Sequence, residues 1–73
     1  MLILNNTIKE EFFKVYNEVV DSEGNIKACG RENCIRLIEM CRSIDIYNHF
    51  GDIKTGRLNI SAVTRLYKEI SNS

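Results

Sequence analysis

Proline is absent from the chain, and glycine occurs only at Gly24, Gly30, Gly51 and Gly56. Those four positions punctuate three segments in which apolar residues recur at helical spacing. The first opens at Thr7, with Glu10 three residues on. This is a capping box, in which each side chain meets the other's exposed backbone N–H. Ile8, Phe12, Val15, Tyr16 and Val19 follow at steps of three and four, which predicts an amphipathic helix to about Asp21. Phe13 and Val20 widen its apolar stripe to roughly 160°, more than one packing neighbour needs. Such a stripe is covered either by two neighbouring helices or by a partner.

Asp21 to Asn25 has the composition of a turn. A second helix is predicted from the Gly30–Asn33 region to about Ile46, with Cys34, Leu37, Ile38, Cys41 and Ile44 as its stripe. Tyr47 to Leu58 reads as a linker, either a short hairpin or a helical turn around residues 53–58. Asn59 or Ser61 caps a third helix whose apolar residues are Ile60, Val63, Leu66, Tyr67 and Ile70. The expected fold is therefore all-α, a compact three-helix domain spanning residues 1–73.

The chain has 73 residues, with 10 Lys+Arg against 10 Asp+Glu and so no formal net charge. Below roughly 70–80 residues a single core rarely leaves more than ~3–5 kcal/mol of stability, so disulfides, a metal or a partner often help. The three cysteines are an odd number, and residues 1–6 lack the basic and long apolar stretches of an export signal. A cytoplasmic protein without disulfides is the expectation. No apolar run approaches the ~18 residues of a membrane span.

Cys29, Cys34, Cys41 and His49 make a possible zinc set, but their spacing lacks the tight pair of a zinc knuckle. Cys34 and Cys41 also fall at the centre of a helical stripe, where thiols act as small hydrophobes. No metal and no cofactor is expected, and Cys29, beside Gly30, is the cysteine expected to be exposed. The sequence holds no nucleophile elbow, no Ser-His-Asp order and no phosphate loop, so no enzyme is expected.

Two partial resemblances remain. Gly24 with Ile26, and Gly56 with Leu58, give a helix–Gly–x–apolar–helix rhythm that resembles EF-hand loops. In that register the ligand positions would be Val19, Asp21, Glu23 and Gly30, then Gly51, Ile53, Thr55 and Ala62. Neither set ends in the bidentate Glu, so the resemblance implies a shape without calcium binding. Leu58-Asn59-Ile60-Ser61, followed by Val63, Arg65 and Lys68, resembles the turn and recognition helix of a helix-turn-helix DNA binder. That resemblance implies DNA contact through Ser61, Thr64, Arg65 and Lys68. Arg65 stands where the motif has an inward aliphatic, and Lys54-Thr55 where it has Ile-Ala.

Two functions follow as expectations. The first is a small regulator or interaction module that binds another protein through Phe13, Tyr16 and Val20, with a homodimer formed on the same face. The second is a compact DNA-binding regulator using the C-terminal helix. Free-standing chains of this size are common in phages and mobile elements, which bears on origin alone.

Overall fold

The structure is a computed structural model and describes residues 5–28 and 30–72. Three helices and one hairpin follow in the order α1 (Asn6–Val19), α2 (Arg31–Ile44), β1 (Gly51–Asp52), β2 (Arg57–Leu58) and α3 (Ile60–Ser71). The fold is thus mostly helical and all-α only approximately: of the two forms expected for the linker, the short antiparallel hairpin is the one present.

Each boundary has a local cause. Helix α1 begins two residues ahead of the expected cap, because the Asn5 side chain accepts a hydrogen bond from the Ile8 N–H at 2.9 Å. Thr7 and Glu10 therefore lie inside the helix. The helix stops at Val19 rather than Asp21. Val20 is extended and bridges Ile26, and Asp21 closes the turn between them. One Asp21 carboxylate oxygen accepts from the Glu23 and Asn25 N–H groups, both at 2.9 Å. The helix α2 starts after Gly30, whose φ of 88° suits glycine alone among common residues.

The hairpin pairs Gly51 with Leu58 and Asp52 with Arg57. Asp52 builds its turn: the carbonyl accepts from Gly56 N–H at 2.8 Å, and the side chain from Lys54 N–H at 2.9 Å. Asn59 then caps α3, accepting from Ala62 N–H at 3.5 Å, while its own amide donates to the His49 carbonyl at 2.9 Å. That bond, with Asn59 N–H on the Phe50 carbonyl, ties the start of α3 to the strand approach.

One hydrophobic cluster holds these elements together. Helix α2 is its centre, touching α1, both strands and α3. The stripe supplies Cys34, Leu37, Ile38 and Cys41, all buried. Phe50 and Leu58 close one end, although neither belongs to a periodic segment. Helix α1 adds Phe12, Val15, Tyr16 and Val19, and α3 adds Val63, Leu66 and Ile70.

Helix α1 meets α3 through aromatic rings. Tyr16 and Tyr67 stack with centroids 4.1 Å apart and planes 16° from parallel, and Phe13 meets Tyr67 edge-on at 5.5 Å. Each such pair adds about 0.5–1.5 kcal/mol beyond the area it buries. The wide stripe of α1 is accordingly covered within the chain, by α2 on one side and α3 on the other. No helix among the described residues is long and apolar enough to cross a membrane.

Candidate functional site

The residues expected to bind a partner are placed first by burial. Val20 is 2% exposed and Tyr16 6%, while Phe13 is half-buried against Tyr67. Tyr16 and Val20 thus belong to the core of the single chain and show little of their surface, at the floor of an open groove between the end of α1 and α3. The physical reason lies in where α1 ends. Val20 was expected on the helix surface, but it leaves the helix and turns inward as the bridge partner of Ile26.

The residues expected to touch DNA sit differently. Ser61, Arg65 and Lys68 are exposed on α3, and Thr64 is half-buried. The Thr64 hydroxyl donates to the Ile60 carbonyl one turn back, so it is engaged inside its own helix. The segment ahead of α3 is the β1–β2 hairpin, where a helix-turn-helix places its first helix. Lys54 and Thr55, which depart from that motif, form the hairpin turn.

Of the possible metal ligands, Cys29 lies outside the described residues, and so does its expected exposure. Cys34 and Cys41 are buried thiols. His49 is exposed on the approach to β1. Among the described residues no three His, Cys, Asp or Glu side chains come together as a metal ion requires. The two loops of EF-hand rhythm each close on themselves, Ile26 on Val20 and Leu58 on Gly51.

Burial pushes the Cys41 thiol up to about 12. It also raises Tyr16, with Tyr67 and Asp21 adding smaller contributions in the same direction. Both groups are therefore held neutral in the folded chain. Above about pH 9 an unfolded Cys41 ionises while the folded one does not, so stability declines as pH rises from there towards 12. Chemical denaturation across pH 8–11 should show this decline, and Cys41→Val should flatten part of it. A thiol reagent should label Cys41 only at the rate of unfolding. Immediate labelling at Cys41 itself, located by peptide mapping of the native protein, would contradict its burial.

Among the described residues four large apolar side chains are left exposed outside the core. Tyr47 is 91% exposed and Ile46 75%, far more than Ile8 at 38% or Ile26 at 48%. Adjacent in sequence, they occupy the connection between α2 and β1. That connection is pinned at both ends. Asp45 N–H donates to the Cys41 carbonyl, ending α2. The Asp45 carboxylate accepts from Tyr47 N–H at 3.1 Å and from the Asn48 amide at 2.6 Å. Phe50, 1% exposed, anchors the other end in the core. An aspartate-centred turn thus holds Ile46 and Tyr47 outward beside an open groove lined also by Arg42, His49, Asp52 and Lys54. Sequence reasoning missed this pair because Ile46 falls at the expected end of α2, off its apolar stripe, and Tyr47 in an unclassified linker. The available signal was Asp45 with Asn48, a turn-forming pair.

No family model, curated protein or solved structure matches the chain.

Proposed function

We propose that the chain is a small, non-catalytic interaction module whose contact surface is centred on Ile46 and Tyr47, and that its partner is another protein. The single observation carrying this is the exposure of two adjacent large apolar side chains on a loop pinned at both ends. Leaving such side chains in water forgoes about 1.5–3 kcal/mol each, a gain that a partner recovers by covering them. Tyrosine is also enriched among residues that dominate binding energy. A rigid loop loses little entropy on docking, which leaves more of that gain as affinity. Arg42, His49, Asp52 and Lys54 supply the polar rim around the pair.

A cytoplasmic setting agrees with buried thiols, and a second copy of this chain remains one identity the partner can have. If so, the homodimer forms through Tyr47 rather than through Phe13 and Val20.

Ile46→Ser with Tyr47→Ser should leave the unfolding midpoint within about 0.5 kcal/mol of wild type, as exposed positions do. The same double variant should lose a protein that co-purifies with wild type, or dissociate a dimer seen by sedimentation. Retention of the partner or dimer by the folded variant would refute the assignment. The DNA-binding alternative rests on the exposed Arg65 and Lys68 of α3. It predicts retention on duplex DNA at low salt, lost steeply as salt rises and abolished in Arg65→Ala/Lys68→Ala. The interaction reading predicts no such retention.

A further inference from the structure

We draw no further inference here: the strongest candidate, the open groove between the end of α1 and α3 beside the stacked Tyr16 and Tyr67, carries acidic and basic side chains in balance (Asp21 and Glu23 against Lys27 and Lys68), and nothing in the structure shows what covers it.

Discussion

Gly51→Ala is expected to leave the chain largely unfolded at room temperature, read as loss of the helical far-ultraviolet circular dichroism. Gly51 has a φ of 150°, a conformation side chains rarely adopt. A Cβ there would lie 2.5 Å from the Arg57 carbonyl oxygen and 2.6 Å from Ile38 Cδ1. Neither neighbour can retreat cheaply. Arg57 is the strand partner of Asp52, and Ile38 is fully buried in α2. Backbone strain of about 1–3 kcal/mol and overpacking of about 1–3 kcal/mol together rival the ~3–5 kcal/mol that a core of this size leaves. Gly24→Ala is the control. Its φ is 83°, yet nothing lies within 4 Å of the added carbon. Conformational strain alone, about 1–2 kcal/mol, should lower the melting temperature while the helical signal survives. Equal stability of the two variants would mean that the hairpin is not seated on α2.

Phe12→Ala should destabilise the domain by about 3–5 kcal/mol, the range for emptying an aromatic site in a packed core. Phe12 is 0% exposed, with its ring edge-on to Phe13 at 6.0 Å and tilted against Tyr16 at 6.1 Å. Its loss therefore also loosens the aromatic group that joins α1 to α3. Phe13→Ala removes a ring of the same size from a half-buried position and should cost clearly less. A loss of that size rivals the ~3–5 kcal/mol such a core leaves, so the comparison is read in the helical circular dichroism, retained in Phe13→Ala and largely lost in Phe12→Ala. If Phe13→Ala were the more damaging, α1 would be rotated about its axis from the orientation described.

These two results would also mark where sequence and structure part. Helical periodicity made α2 legible: of its predicted stripe Cys34, Leu37, Ile38 and Cys41 are buried and Ile44 partly so. In α3 Val63, Leu66 and Ile70 are buried, and Ile60 and Tyr67 partly so. Periodicity failed where a side chain, rather than the repeat, ends an element. Asp21 and Asp45 each draw backbone or side-chain N–H groups onto their carboxylates just beyond a helix. The first moves Val20 from a helix face to the core. The second ends α2 at Ile44 and leaves Ile46 exposed beyond it. Phe50 and Leu58 escaped notice for the opposite reason: core residues outside a repeat have no pattern to announce them, and tertiary packing alone buries them. The candidate site lay in that same blind stretch, so the width of α1 drew attention to Phe13, Tyr16 and Val20 instead. The chain itself covers that width, with Tyr67 as the ring that α1 meets on α3.

Photo-crosslinking from position 47 tests the central claim most directly. A photoreactive phenylalanine analogue replaces Tyr47 in one protein and Arg36, exposed on α2, in another, each produced in the native cell. The interaction surface proposed here predicts one discrete protein adduct from position 47, none from position 36, and loss of the adduct when Ile46→Ser is added. Absence of any adduct at position 47, or an equal adduct from position 36, would contradict it.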